Sequence, residues 1–444
     1  MSPLNEPLVQ YDKTDATHAC IVEEAPPVLT RRHEGTWQQV TTALLSLQLG
    51  WGLWLMPSDY ARLGWCANVV LVVLAALTAY SGTLFTRLYQ AVPSTVLFSD
   101  VGAAAAGRWG RGLVSLIIYS LDATRCVILH LAAAQSLRHV FSPGPDQPPL
   151  WQCGAAVLVL AGILVQVRGL AEMSSVFMAG TASQLVAVGI VVWELISHPE
   201  PQARTEWSSQ DDPLTSRVAA VVALMNMIFA FGGQFAFTEL LGTMRQPAHF
   251  PRAILVCTSV MTVLYGGLGA VGYWSRGSDI HDIVIFSLPD SPRARLAAAC
   301  ILLQALAQYL INVNVWTHNL LVLLARCQAR PGQNLPARAC EHCGWRWLVI
   351  SLFVVAYSCV ISVSLPFFSS LVGLVTSVTY LVCAYALPAW FCLRLLPNIS
   401  WGERLLLWLL IPTALLFSGV GLWGSISALV NDLQGGGEGF GRVL

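Results

Sequence analysis

Apolar runs of roughly 20 residues, the length a helix needs to cross a bilayer, recur along this chain with short polar stretches between them. They predict spans at about 36–58, 65–91, 112–141, 150–167, 173–197, 216–243, 251–275, 294–325, 346–364, 367–396 and 403–430. The fourth is short. The ninth and tenth are divided at Leu365-Pro366, where proline suits a tight turn. Two runs are interrupted by glycines: Gly50-Trp51-Gly52-Leu53-Trp54-Leu55-Met56-Pro57 in the first span and Phe231-Gly232-Gly233-Gln234 in the sixth. Glycine lets a helix unwind, and unwound backbone at membrane depth is tolerable only where it faces protein or a water-filled cavity. A matched pair of broken spans points to a transporter's substrate site.

Odd parity sharpens that reading. Two five-span units of opposite orientation plus one extra helix give eleven spans, with a broken helix opening each unit. The expected fold is therefore an all-α integral membrane protein, a 5+5 inverted repeat plus one helix, with helices 1 and 6 broken. The corresponding divisions are an N-terminal tail at 1–35 and a transmembrane domain at 36–430. Within that domain, repeat one covers about 36–197, repeat two about 216–396 and the extra helix about 403–430; residues 431–444 form a C-terminal tail.

Composition agrees. Of 444 residues 55% are hydrophobic and 11% charged, against about 25% charged in soluble domains. Zero net charge and scattered basic residues exclude nucleic acid as a partner. With the N-terminus cytosolic, fifteen of the 24 basic residues fall in cytosolic segments and eight outside, leaving Arg125 within a span. The C-terminus is then extracytosolic, and the sequon Asn398-Ile399-Ser400 is cytosolic and unmodified. The first 35 residues contain no apolar stretch of signal-peptide type. The plasma membrane is favoured, and a vacuolar or lysosomal membrane stays open.

The twelve cysteines are dispersed and suggest no disulfide framework. Cys327, Cys340, His342 and Cys343 form a weak zinc-like cluster in a cytosolic loop, so no metal is expected. No phosphate-binding glycine loop, H-E-x-x-H or nucleophile elbow occurs. An enzyme is not expected, nor an organic cofactor.

Candidate substrate contacts cluster at the breaks: Gly50, Trp51, Gly52, Phe231, Gly232, Gly233 and Gln234. Amide N–H groups at the start of the outer half of span one suit a substrate carboxylate. Carbonyls freed around Phe231–Gly233, at the end of an inner half-helix, suit an ammonium. The same glycines also permit close helix packing. For proton coupling or gating the ionisable residues within spans are Glu239, Asp122 and Asp59. Asp122 and Arg125, three apart on span three, are expected to pair with each other. Asp59 and Arg62 are expected to form an exposed pair or outer gate. His130 reads as a packed histidine, and at most one of Asn312 and Asn314 faces a cavity.

Four segments in order carry a family resemblance. The first break runs on through Pro57-Ser58-Asp59-Tyr60-Ala61-Arg62-Leu63-Gly64-Trp65, similar to a G-x-G-x-x-x-L-P followed by G-W. Phe229-Ala230-Phe231-Gly232-Gly233-Gln234-Phe235-Ala236-Phe237-Thr238-Glu239 is similar to F-A-Y-x-G-H-x-x-x-x-E. Gly272-Tyr273-Trp274-Ser275-Arg276-Gly277 and Leu365-Pro366-Phe367-Phe368-Ser369-Ser370-Leu371-Val372-Gly373 match two later motifs. Together, over about 35–430, they resemble the amino acid/auxin permease family of the amino acid–polyamine–organocation superfamily, most nearly the plant lysine/histidine-type and general amino acid permeases. The resemblance implies a leucine-transporter-type bundle and ion-coupled uptake of amino acids by alternating access. The partners are then an amino acid, a proton and lipid, with the protein a monomer. Sodium sites of that fold use hydroxyls of span eight, which here has no Ser or Thr before Thr317; the coupling ion is expected to be H+. Trp51, Gln234, Asp59 and Arg125 depart from the pattern. A non-transporting amino acid sensor of the same fold is the alternative.

Overall fold

A computed structural model describes residues 35–92, 95–141, 148–166, 170–200, 213–328 and 344–435. Cys340, His342 and Cys343 of the cysteine–histidine cluster and most of both tails lie outside the described residues. Among the described residues the regular secondary structure is helical apart from an isolated backbone bridge between Gly35 and Met244. Nine helical stretches there are long and apolar enough to cross a membrane. Their outward faces carry large apolar side chains such as Trp193, Val263, Phe353 and Leu416, a surface that only lipid accommodates at this extent. The protein is an integral, multi-pass helical membrane protein.

Helix α1 (Trp37–Gln48) starts at a capping box: Gln39 N–H donates to Thr36 Oγ1, and Thr36 N–H donates to Gln39 Oε1. After the first break, α2 (Gly52–Leu63) leads through Gly64, held at φ 67°, into α3 (Ala67–Ala91). Helix α4 (Phe98–Phe141) bends at Ala106–Gly107, where Gly107 takes φ 60°. Next come α5 (Leu150–Leu164), α6 (Leu170–Ser197) and α7 (Pro213–Ala230). Beyond the second break stand α8 (Phe237–Thr243), α9 (Phe250–Arg276), α10 (Pro292–Gln328) and α11 (Gly344–Ser364). The last elements are α12 (Phe368–Val375), α13 (Leu387–Leu395) and α14 (Trp401–Gly435). Two π turns, Thr376–Tyr380 and Val382–Ala386, join α12 to α13.

Burial separates the centre from the rim. In the α12–α13 stretch 83% of the most apolar 18 residues are buried, against 17% in α14, so α12–α13 is a central element and α14 a lipid-facing one. Gly35 at the head of α1 pairs with Met244 at the foot of α8, which defines one face of the bundle, here the near face. Arg62 at the end of α2 meets Asp282 in the loop after α9, which marks the far face.

Candidate functional site

Both sequence-predicted breaks are real, and they lie against each other. Helix α1 stops at Gln48; Leu49 leaves the helical region (φ −73°, ψ 77°) and α2 resumes at Gly52. Helix α7 stops at Ala230, and a single 3-10 turn, Gln234–Ala236, precedes α8. A Cβ on Gly52 would stand 2.5 Å from Ala230 Cβ and 2.6 Å from its Cα, so the two segments touch almost backbone to backbone. A Cβ on Gly233 would stand 2.4 Å from Gln48 Nε2. The glycines therefore serve the breaks and the close packing together.

The carbonyls that α1 loses are taken by side chains from other helices. Gln308 and Gln304 of α10 donate to Ser46 O (3.5 Å) and Leu49 O (3.3 Å), and Gln184 of α6 donates to Gly50 O (3.2 Å). The Tyr265 hydroxyl of α9 lies 3.0 Å from both Gln48 O and Ala230 O, joining the two breaks. The second break instead closes on itself. Gln234 donates from Nε2 to Phe231 O (3.3 Å) and accepts the Gly233 N–H (2.9 Å).

Between the breaks lies a largely enclosed cavity of ≈ 30 Å³, room for about two waters. Gly50, Trp51, Gly52 and Gly232 line it, with Arg125, Ile128 and Leu129 of α4, Gln308 and Tyr380. Trp51 is buried and its ring sits 5.2 Å from that of Phe368, so it stoppers the cavity toward α12. The Arg125 guanidinium lies 4.7 Å from the centroid of the Phe235 ring, an attractive cation–π arrangement. Phe231, Gly233 and Gln234 stand behind the cavity rather than in its wall, Phe231 edge-on to Tyr265 at 5.5 Å. A larger hollow of ≈ 470 Å³ by Tyr89, Gln246 and His249 is open to the near face and touches no break residue.

Two expectations need correction. Asp122 and Arg125 form no ion pair among the described residues: Asp122 turns to α10, accepting from Asn319 Nδ2 at 3.0 Å, while Arg125 turns to the cavity. Nor is Asp59–Arg62 an exposed pair. Asp59 is wholly buried and 3.9 Å from Arg62. Its Oδ1 accepts from Asn226 of α7 at 3.0 Å, its Oδ2 is buried without a partner, and Asn226 also donates to Ser369 of α12 at 2.8 Å. Arg62 donates to Ser369 (2.7 Å) and Asp282 (2.5 Å). This cluster ties α2, α7, α12 and the far loop together above the cavity. It also shows that α7 packs beside α2 on the far face, so the carbonyls at its end belong to the far half of span six, because that span runs opposite to the first.

Glu239 lies half-buried in the first turn of α8 on the near side of the second break. His130 is packed as expected, 2.8 Å from Ser362 Oγ and edge-on to Tyr309. Neither Asn312, which donates to Asp122 O, nor Asn314, which donates to its own Leu310 O, lines the cavity. Gln184, Gln304, Gln308, Tyr265, Tyr380 and Asn226 went unpredicted. Uncharged polar residues raise little alarm in an apolar run, yet Gln304 and Gln308, one helical turn apart, carried a visible signal.

Residues 33–430 match the family model described as "Transmembrane amino acid transporter protein". Amino acid transporter AVT1D of Arabidopsis thaliana is 24% identical over 404 residues, covering 86% of this chain and 68% of that protein. Amino acid transporter AVT1J of the same plant is 21% identical over 88% of this chain and 89% of its own. The N amino acid transport system protein of Neurospora crassa is 20% identical over 82% of this chain and 77% of its own.

Proposed function

The chain belongs to the transmembrane amino acid transporter family, and on that premise we propose that it is a proton-coupled secondary carrier of amino acids. The observation that carries this reading is the meeting of two unwound segments, nearly backbone to backbone, across a small cavity lined by Gly50, Gly52 and Gly232. Recognition through backbone groups suits the part that all amino acids share. N–H groups at the head of α2, at the positive end of its dipole, and the Arg125 guanidinium would hold the carboxylate. The ammonium would meet carbonyls around Phe229–Gly232, each with a second lone pair to offer.

The helices support an eleven-span reading in which α1 with α2 and α7 with α8 each count as one broken span. The matched breaks support the inverted repeat, with units at about 36–197 and 216–396 and an extra helix at about 403–430. A cavity of ≈ 30 Å³ is smaller than any amino acid, so Trp51 and the walls must move for substrate to enter. The Asp59–Arg62–Asn226–Ser369 cluster would close the far face during part of the cycle. Glu239, Asp122 and Asp59 are the candidate proton carriers. The chain is read as a monomer with a cytosolic N-terminus in the plasma membrane, a vacuolar or lysosomal membrane being the other site.

The test is uptake of a pooled amino acid panel into proteoliposomes, without sodium, with and without an acid-outside gradient, beside Glu239→Gln. Accumulation driven by the gradient and lost in the variant is expected. Saturable amino acid binding with no uptake in any gradient sinks the carrier reading and favours a sensor.

A further inference from the structure

The carbonyl cluster at the end of α1 is chemically unusual. The last carbonyls of a helix have no intrahelical partner and stand at the negative end of its dipole. Here unwinding adds Leu49 and Gly50, so Ser46, Gln48, Leu49 and Gly50 present four main-chain oxygens within five residues, of which Gln48 O also accepts the Gly50 N–H (2.8 Å) and Gly50 O the Leu53 N–H (3.3 Å). Freed carbonyls at a half-helix end are the ligand set of a hard monovalent cation in a transporter core. All four are instead met by uncharged side-chain donors. Gln308, Tyr265, Gln304 and Gln184 supply one each, from three different helices.

We propose that the amides of Gln184, Gln304 and Gln308 form a fixed collar that substitutes for a bound monovalent cation at the first break, so that the break is held without sodium, potassium or lithium. A primary amide suits the task, because it brings N–H donors to carbonyl oxygens and adds no net charge. The opposite amide orientation would set oxygen against oxygen at 3.2–3.5 Å, so the donor assignment follows from electrostatics. Two glycines make room for the collar. A Cβ at Gly180 of α6 would stand 2.4 Å from Gln304 Oε1, and one at Gly50 would stand 3.0 Å from Gln308 Oε1. Gln304 and Gln184 are both about 1% exposed, so a cation reaching Leu49 O and Gly50 O must first displace them.

The proposal extends the carrier reading only in its consequence, that transport ignores sodium; its structural content stands apart. A carboxylate in place of one amide turns the collar into a cation site. The experiment is thermal unfolding of the purified full chain at alkaline pH, with sodium chloride replacing N-methylglucamine chloride at constant ionic strength, together with ²²Na+ binding. The native chain is expected to show no shift and no saturable binding. Gln304→Glu is expected to bind ²²Na+ saturably, its unfolding midpoint climbing with the logarithm of sodium concentration as linkage requires. Should that variant not fold, Gln308→Glu is read the same way. Sodium stabilisation of the native chain overturns the proposal, as does a folded Glu variant indifferent to sodium. Neither readout involves uptake, so a failure of the carrier reading in the proteoliposome assay leaves the collar standing, and a failure here leaves the carrier reading standing.

Discussion

The two breaks are made of the same material and held by different means. At the first, carbonyls of Ser46, Leu49 and Gly50 are tied to glutamines on α6 and α10. At the second, Gln234 satisfies Phe231 O and Gly233 N–H from within its own segment. The first break has its shape imposed by its surroundings, whereas the second carries its shape with it. A segment that swings against a scaffold must either exchange its partners or bring them along, and each break takes one of these routes. The Tyr265 hydroxyl, 3.0 Å from Gln48 O and Ala230 O, belongs to both.

The largest test strikes where the breaks touch. Gly52→Ala drives a Cβ into the Ala230 main chain at 2.6 Å, which cannot rotate away. We expect uptake to fall to background and stability to drop by about 2–3 kcal/mol, read by thermal unfolding. Ala230→Gly in the same chain should restore part of both, since it removes the 2.5 Å Cβ contact and leaves the Cα. Tyr265→Phe comes next, because it affects both breaks. Ala230 O loses its hydroxyl donor while Gln48 O keeps the Gly50 N–H at 2.8 Å. One unsatisfied carbonyl costs about 1–3 kcal/mol, and proteoliposome uptake should decline correspondingly.

Gln234→Leu isolates the second break. It removes two hydrogen bonds closed within one short buried segment, so we expect a stability loss of about 1 kcal/mol, read by thermal unfolding, and a weaker apparent affinity. Gly50→Ala should have the smallest effect. Its new methyl meets the side-chain amide of Gln308, at 3.0 Å, which needs to give by only a few tenths of an ångström and can do so while still facing Ser46 O, so the cost should stay below about 1 kcal/mol. An effect of Gly50→Ala as large as that of Gly52→Ala would refute the contrast drawn between movable and fixed neighbours.

Much of this was legible in the sequence, and the limit has a physical cause. Apolar runs mark membrane depth reliably because lipid penalises polar side chains, and the glycines at 50, 52, 232 and 233 marked the breaks to within a residue or two. Pairing was harder. Three-residue spacing put Asp122 beside Arg125 on one helix face, but α10 supplied Asn319 and the cavity drew the guanidinium toward Phe235. Spacing along one helix says which side chains can meet, while the neighbouring helix decides which do. Gln234 looked like a substrate contact on its position alone; its amide is turned back onto the backbone that makes it necessary. The near-continuous helix from Gly52 to Ala91, turned only at Gly64, likewise escapes a reading that counts apolar runs.

The bridge between Gly35 and Met244 has a consequence in time. Gly35 N–H donates to Thr243 O and its carbonyl accepts from Arg245 N–H, both at 3.0 Å. Synthesis runs from the N-terminus at about 5–20 residues per second, so Gly35 waits on the order of ten to forty seconds for those partners. The glutamines of α10 that hold the first break arrive later still. A ribosome-bound chain therefore holds α1 in the membrane without its clasp and without its carbonyl donors, and the first span to be made is among the last to be finished.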